Sequence, residues 1–271
     1  MNKRAFLSAY TLLLVVLSGS VAFALDPMGP PTAGLKKGHP SIGIEYFYEE
    51  GDLELDNGRA FGYPAESVDM STRMHMVTAL VGYGLSDNWE VFLRIGSGVA
   101  GRANGNFNDT IFAGSYSGKL EFDGDSSFVI GAGTKVTFYE QQKLKVGGLI
   151  QVSRSEHDSD TRHTYDGDTL NWDTEVSIIE VQCAAGPTYQ WSDKVVIYGG
   201  PFLSHIDGDV DGKHERTYGS PYRFSYDIDN EYDFGGYIGT LIDLGGNLSC
   251  TVEYLHTSNH DAIGTCLLWM Y

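Results

Sequence analysis

Apolar and polar residues alternate along the C-terminal stretch from Glu231 to Tyr271. Between Leu248 and Tyr254 every second residue is apolar, and the residues between them are polar. This period of two predicts a β-strand with one apolar and one polar face. The final run repeats the pattern, and the chain ends on an aromatic residue. The outward-facing set predicted there is Ile263, Leu267, Trp269 and Tyr271.

Ten alternating segments follow one another from Ser41 to the C-terminus. Each has nine or more residues, close to the roughly 9–11 that a tilted strand needs to cross a bilayer. The C-terminal stretch contributes three of these predicted strands. The other seven are Ser41–Leu55, Thr72–Gly84, Trp89–Gly98, Ser127–Tyr139, Leu144–Arg154, Thr174–Gln190 and Val195–His205.

The connections between these strands alternate in length. Those near Ser86, Gln141, Ser192 and Gly246 have only a few residues, whereas those after strands one, three, five and seven are long and acidic. Short turns at one end, long loops at the other and an even strand number are typical of a transmembrane barrel. The predicted fold is all-β, a single closed antiparallel transmembrane β-barrel of about ten strands. The stretch 102–126 is ambiguous, which leaves eight to twelve strands open.

Aromatic residues provide a second indication of this fold. They are placed beside the short turns and at the C-terminus, where they would form one ring at a membrane–water interface. A soluble β-protein, the alternative, would carry its aromatics near mid-strand. The residues concerned are Tyr83, Trp89, Phe138, Tyr139, Tyr189, Trp191, Trp269 and Tyr271.

The N-terminus has the layout of a secretory signal peptide. Lys3 and Arg4 precede an apolar run, and Ala22-Phe23-Ala24 provides small residues for cleavage after Ala24. The predicted organisation is therefore a signal peptide over residues 1–24, a proline-containing periplasmic leader over residues 25–40 and the barrel over residues 41–271. No later segment approaches the roughly twenty apolar residues of a membrane helix.

Charge and cysteine content exclude some functions. The net charge of −18 argues against nucleic acid as a partner, because that binding depends on basic residues that neutralise phosphates. Three cysteines, Cys183, Cys250 and Cys266, provide no disulfide framework, although a Cys250–Cys266 pair stays possible.

The polar faces of the predicted strands carry charges of both signs. If the apolar faces contact lipid, these charges line the lumen, and their confinement favours pairing because an unpaired buried charge is costly. We expect a salt-bridge network that plugs the barrel; a narrow ion path along Arg94, Lys135 and Lys145 is the alternative. The predicted lumen-lining charged residues are Glu45, Glu90, Arg94, Lys135, Lys145, Glu180, Asp243 and Glu253.

One acidic motif could bind a metal ion. Asp207, Asp209 and Asp211, followed by Gly212, match the first half of a Ca²⁺-binding loop. Tyr218 stands at the twelfth position, where a bidentate glutamate is expected. A solvated acidic loop is the alternative reading of the 207–218 stretch, and no other cofactor is predicted.

From Ser41 to Tyr271 the chain resembles the small bacterial outer-membrane β-barrel superfamily, the OmpA-like and opacity-protein-like barrels. The alternating strands, turns such as that from Gly84 to Val91, and the aromatic C-terminus carry this resemblance. It implies an outer-membrane location with both termini in the periplasm, and it transfers no functional residue. Expected partners are outer-membrane lipid, lipopolysaccharide and the barrel-assembly machinery, the last through the C-terminal strand, and the protein is expected to be a monomer.

The strand number also resembles that of the omptin proteases, which use Asp–Asp and Asp–His pairs at the barrel rim. No pair here reproduces the omptin spacing. The rim candidates are His157, Asp158, Asp160, His163, Asp211 and His214. We predict a non-enzymatic protein with a structural or surface-binding role through its long acidic loops. A narrow porin-like channel is the first alternative and a rim protease the second.

Overall fold

The computed structural model describes residues 25–60, 63–64, 67–109, 114–122, 126–165, 168–216 and 222–271. Along the outer ends of several strands it describes only the course of the backbone. Among the described residues, no helix is long and apolar enough to cross a membrane.

Ten strands form one closed antiparallel ring, which confirms the predicted fold. The first and last strands close it, with paired residues from Ser41 opposite Met270 to Gly51 opposite His260. Two further strands, β2 and β5, lie outside the ring and pair with β1 and β4. The strands are β1 Pro40–Ala60, β2 Tyr63–Pro64, β3 Val68–Ser86, β4 Trp89–Asp109, β5 Gly114–Phe122, β6 Ser126–Gln141, β7 Leu144–Tyr165, β8 Asp168–Ser192, β9 Val195–Arg216, β10 Tyr222–Gly245, β11 Leu248–His256 and β12 His260–Met270.

The long polar stretches are mostly strand and not loop, so this part of the prediction was wrong. β7 and β8 stay paired from Leu144 opposite Tyr189 to Tyr165 opposite Asp168, well past the length that a bilayer requires. The ambiguous stretch after Gly98 extends β4 and adds β5 as its hairpin partner. We call the end with the four tight turns the short-turn end and the opposite end the long-hairpin end.

Outside, the first half of each strand from the short-turn end is apolar. Side chains such as Ile44, Leu93 and Ile150 are more than half exposed, which lipid contact explains and an aqueous surface does not. The aromatic ring predicted beside the short turns is exposed as expected. A second set of exposed aromatics, at the other edge of the apolar band, comprises Phe128, Tyr232, Phe234 and Tyr254.

Towards the long-hairpin end the two faces exchange character. In β1 the outward residues Ile42 and Ile44 give way to Asp52 and Glu54, while inward Glu45 and Glu49 give way to Leu53 and Leu55. The buried apolar side chains of this end form one cluster. Its members are Phe47, Leu53, Leu55, Met74, Met76, Val129, Val176, Ile178, Ile206, Val210, Phe224, Tyr226 and Ile228.

The ring also narrows at this end. The β11–β12 hairpin ends at His256 and His260, and beyond it β1 pairs directly with β10, from Leu55 opposite Ile228 to Ala60 opposite Phe224. Removing two strands reduces the diameter of the ring, and a barrel of about eight strands is just wide enough to be filled by side chains. The apolar cluster therefore closes the lumen above the membrane-spanning band.

The outward apolar band makes a testable prediction. Leu93→Arg places a charge on the lipid-facing surface and should destabilise the barrel by about 2–4 kcal/mol if it lies near the bilayer midplane. Glu54→Arg, on the exposed face of β1 beyond the band, should change stability by less than about 0.5 kcal/mol. Denaturant unfolding in phosphatidylcholine vesicles measures both. Equal effects of the two variants would contradict the membrane placement of the band.

Candidate functional site

The leader, residues 25–39, runs inside the barrel. It was expected on the periplasmic side, but Leu25, Asp26 and Met28 are almost completely buried in the lumen. The leader enters at the short-turn end, where the Gly38 amide donates to the Gly84 carbonyl at 2.8 Å. The segment therefore fills the membrane-spanning part of the lumen.

The leader adds no strand to the ring. Its prolines lack amide donors, and several of its other amides donate hydrogen bonds to side chains of the barrel wall. Carboxylates that point into the lumen accept hydrogen bonds from these amides. The Met28 amide donates to Oε1 of Glu253 at 2.7 Å, and the Gly34 and Leu35 amides donate to Oε2 of Glu90 at 2.7 and 3.0 Å. These contacts fix the leader against opposite sides of the ring.

A missing side chain at Gly147 makes room for the leader. A Cβ at this inward position of β7 would lie 2.7 Å from the carbonyl oxygen of Pro31, too close for a real contact. The adjacent Thr32 hydroxyl donates to the Thr188 hydroxyl at 2.9 Å. Glycine in a strand often marks such a close approach of a second backbone.

Arg94 is the central cation of the lumen. Its Nε lies 2.6 Å from Oε2 of Glu45, and its Nη1 lies 2.9 Å from Oδ2 of Asp26 in the leader. Its Nη2 also donates to the Pro27 carbonyl at 2.7 Å. The guanidinium therefore joins the barrel wall to the leader through charged and neutral acceptors, all of them buried.

Four of the six remaining predicted residues also lie in the lumen: Glu90, Lys135, Glu180 and Glu253. Glu180 lies buried beside Gln182 and Ser204, which donate to its Oε1 at 2.7 and 2.8 Å. Lys135 is largely buried, with its Nζ 4.0 Å from Oε1 of Glu90. Glu253 is buried and holds the leader through Met28. These residues occupy the lumen where the alternation of the strands places them.

Two predicted lumen residues lie elsewhere. Lys145 sits at the short-turn mouth, partly exposed, 3.1 Å from Glu140. Asp243 is exposed and accepts the Gly245 amide at 2.7 Å, so it caps a turn and does not line the lumen. Both lie at strand ends, where even residues on the inward-facing side of a strand are exposed to solvent.

A buried cluster of titratable side chains, which the sequence pattern did not predict, lies at the far end of the lumen. Nδ1 of His260 lies 3.1 Å from Oε1 of Glu49, and its Nε2 lies 3.7 Å from Oδ2 of Asp233. His260 shares the inward parity of β12, a signal that was present in the sequence. Asp233 follows a β-bulge after Asn230, which shifts the parity of β10 and conceals its inward position.

A cavity of about 90 Å³ remains between the leader and the ring. Pro27 to Pro30 line one side, and Glu90, Arg94, Lys135 and Glu253 line the other. The volume is enough for a few water molecules. It lies on the short-turn side of the apolar cluster, so it does not extend through the long-hairpin end of the described structure.

Residues 207–216 of the predicted calcium loop belong to β9, and residues 217 and 218 lie outside the described residues. Asp207, Asp209 and Asp211 lie on the outward face of β9, and alternate strand residues stand about 6.6 Å apart, so their carboxylates do not converge on one ion. Within the described parts of the chain, no group of three or more His, Cys, Asp or Glu side chains could hold a metal ion.

These aspartates belong to a larger outward acidic surface, which we call the acidic wall. One cross-strand row runs from Ser177 through Asp209 and Asp227 to Asp56 and contains no basic residue. Glu175 stands opposite Asp211 in the next row. Directly opposed like charges are destabilising, so Asp209 and Asp227 repel each other, as do Glu175 and Asp211. The second row ends at a basic residue, Arg59, which stands opposite Ser225. The members of the wall are Asp56, Glu175, Asp207, Asp209, Asp211 and Asp227.

The protease candidates do not assemble into one site as far as the structure describes them. His157 points into the apolar interior, whereas Asp158 and Asp211 are exposed on the outer face. Burial lowers the pKa of His157 to about 4, so its imidazole is neutral at pH 7. The side chains of Asp160, His163 and His214 lie outside the described residues.

No protein-family model matches this chain, and no curated protein matches its sequence. Solved structures do match. The outer-membrane protease OmpT from Escherichia coli aligns with a TM-score of 0.56 and 9% identity over 91% of this chain and 99% of its own. The translocator domain of the autotransporter NalP from Neisseria meningitidis aligns with a TM-score of 0.46 and 11% identity, over 88% and 90% of the two chains. OprG from Pseudomonas aeruginosa aligns at 0.41 and 11%, over 87% and 98%.

The chain shares the β-barrel fold of OmpT. At 9% identity the likeness to OmpT is one of fold and carries no activity with it.

The central ion pairs of this barrel make a prediction. Arg94→Met leaves Glu45 and Asp26 buried without their cation and should destabilise the barrel by about 3–5 kcal/mol. Arg73→Met removes the exposed partner of Glu50, 2.9 Å away and about half exposed, and should cost less than about 1 kcal/mol. Thermal or denaturant unfolding in the same detergent compares the two. A cost for Arg94→Met no larger than that for Arg73→Met would contradict the central role of Arg94.

Proposed function

We propose that the protein is a non-conducting, non-enzymatic outer-membrane barrel that acts structurally and binds basic partners at the cell surface. One observation carries the proposal: the lumen is occupied, first by the leader and then by the apolar cluster. This filling leaves the outward face of the long-hairpin end as the surface through which the protein can contact a partner. The proposed role requires no cofactor.

In this proposal the short-turn end faces the periplasm and the long-hairpin end faces the exterior. Long hairpins on the outside are typical of such barrels. Outer-membrane lipid and lipopolysaccharide contact the apolar band, and the C-terminal strand ending at Tyr271 engages the assembly machinery. The protein acts as a monomer, because the ring closes through β1 and β12 and leaves no ring edge to pair with a second chain.

The acidic wall determines the class of partner. The opposed carboxylates of Asp209 and Asp227 repel each other, and a bound cationic group would relieve that repulsion. A segment with clustered lysine or arginine side chains can contact the carboxylates of several cross-strand rows at the same time. Binding of this kind weakens with salt, because exposed charges are screened beyond about 8 Å at physiological ionic strength.

A fluorescent oligolysine peptide tests surface binding. The protein is placed in nanodiscs of zwitterionic phosphatidylcholine, so that lipid charge does not contribute. Asp209→Asn/Asp227→Asn should weaken binding about tenfold, which corresponds to about 1.4 kcal/mol. Raising the salt from about 0.05 to about 0.5 M should remove most of the binding to the unmodified protein.

The chain offers a matched control for this experiment. Glu140→Gln/Asp193→Asn removes two exposed carboxylates at the short-turn end and leaves the acidic wall intact. This variant should bind the peptide as the unmodified protein does. Equal weakening by both double variants would indicate attraction to net charge alone and would refute a surface-binding role of the wall.

A narrow channel is the second candidate, because a cavity lies beside the leader. Planar-bilayer recordings separate the two proposals. The complete protein should give flat traces, since the leader and the apolar cluster lie in series along the lumen. A variant without residues 25–35 should also remain closed, or open only rarely, because the apolar cluster persists. Steady conductance of the complete protein would refute the non-conducting proposal and favour the channel.

A further inference from the structure

The backbone nitrogen of Leu25 lies at the deepest point of the leader. It donates to Oε2 of Glu49, an inward residue of β1 near the far edge of the apolar band. Neither Leu25 nor Glu49 has any exposed surface. A carboxylate buried this completely requires strong donors, because its desolvation is expensive.

The surroundings of Glu49 form a defined pocket. His260 contacts the other carboxylate oxygen at 3.1 Å and reaches Asp233 with its second ring nitrogen at 3.7 Å. Asn259 donates to Oδ1 of Asp233 at 3.1 Å. Gly51 lies against the His260 imidazole, where a Cβ would collide with the ring. Two carboxylates therefore share one imidazole, and Glu49 directs its remaining oxygen at Leu25.

The buried carboxylates of the lumen outnumber its buried cations. The buried carboxylates number seven among the described residues, and they face one buried arginine, the largely buried Lys135 and the His260 imidazole between Glu49 and Asp233. A further positive group beside Glu49 would be stabilised by a fully buried carboxylate, with Asp233 on the other side of His260. The seven are Asp26, Glu45, Glu49, Glu90, Glu180, Asp233 and Glu253.

We propose that Glu49, His260 and Asp233 form a binding site for the α-ammonium group of the processed N-terminus. The sequence predicts cleavage after Ala24, which makes Leu25 the first residue of the mature chain. A signal peptidase hydrolyses the Ala24–Leu25 peptide bond: water supplies a hydroxyl to the Ala24 acyl carbon and a proton to the Leu25 nitrogen. The released amine binds a further proton at neutral pH, so the amide that contacts Glu49 becomes an ammonium with three donors.

Processing and closure of the lumen are therefore linked. The leader is held at its entry by Gly84 and along its length by Glu90 and Glu253, and the α-ammonium fixes its inner end. Because Leu25 is fully buried and its nitrogen contacts Glu49, the amine released by cleavage would lie beside this carboxylate inside the lumen. The cleaved chain is thus the form whose N-terminus matches the pocket. This inference goes beyond the proposed surface binding and does not depend on it.

Protection of the amine tests the site directly. Intact mass of the protein purified from outer membranes should correspond to a chain that begins at Leu25. A 2-pyridinecarboxaldehyde probe, which reacts with N-terminal amines, should label the folded protein at least about a hundredfold more slowly than the denatured protein, as expected for a group exposed only by rare opening. A different first residue, or equal labelling of both states, would overturn the proposal.

Two matched variants separate the pocket from general burial. Glu49→Gln removes the anionic acceptor and should raise labelling of the folded protein at least about tenfold while lowering its melting temperature. Glu54→Gln removes an exposed carboxylate from the same strand and should change neither. Identical behaviour of the two variants would overturn the assignment of Glu49.

A chemical variant covers the case in which Glu49→Gln does not fold. The denatured mature chain is acetylated at its α-amine, refolded into detergent and compared with unmodified chain refolded in parallel. Loss of the ammonium should lower the melting temperature by several degrees or prevent refolding, as expected for removing one partner of a buried ion pair. An acetylated chain that refolds with an unchanged melting temperature would overturn the proposal.

Discussion

The need to satisfy buried carboxylates governs the inside of this barrel. A ring of ten strands is wide enough to enclose charged side chains that water would otherwise solvate, yet its interior excludes most water. Arg94 neutralises part of this charge, and the leader supplies much of the remainder as backbone donors to Glu90 and Glu253. Because the leader is itself an extended, proline-containing segment, its free amides match acceptors that the strands present. The leader therefore fills the lumen and at the same time satisfies part of its buried carboxylates.

The same strands face lipid in one half of the barrel and water in the other half. Within the band the exterior is apolar because it faces lipid, and the interior is polar. Beyond the band the exterior is acidic because it faces water, and the interior is a packed core in which Ile206 and Val210 are buried. The transition coincides with the end of the β11–β12 hairpin, where β1 meets β10 and the ring narrows. The narrow part of the ring has no room for the leader. Its interior therefore lacks the backbone donors that the leader supplies, and it is filled by apolar side chains.

This division separates the stability of the protein from its contact with the surroundings. The leader, Arg94 and the apolar cluster are enclosed, and changes there act on folding and closure. The acidic wall is exposed and built on paired strands, so its carboxylates are held in fixed rows and not on a variable loop. A rigid array of like charges at a membrane surface favours a partner of matching spacing and opposite charge. The buried amine pocket belongs to the first group and the wall to the second.

The alternation of apolar and polar residues, together with the alternating connection lengths, predicted a barrel of about ten strands. It also predicted the inward position of most lumen charges, because a period of two assigns each residue to one face. Glu45, Arg94 and Glu180 were identified in this way. The sequence could not show that the strands continue past the membrane, since the apolar parity reverses between Glu49 and Leu53 and resembles the end of a strand. Nor could it place the leader, whose position depends on acceptors contributed by distant strands. The wall and the Glu49–His260–Asp233 pocket likewise arise only when strands far apart in the chain become neighbours, since a charge is stabilised or repelled by what lies beside it in space.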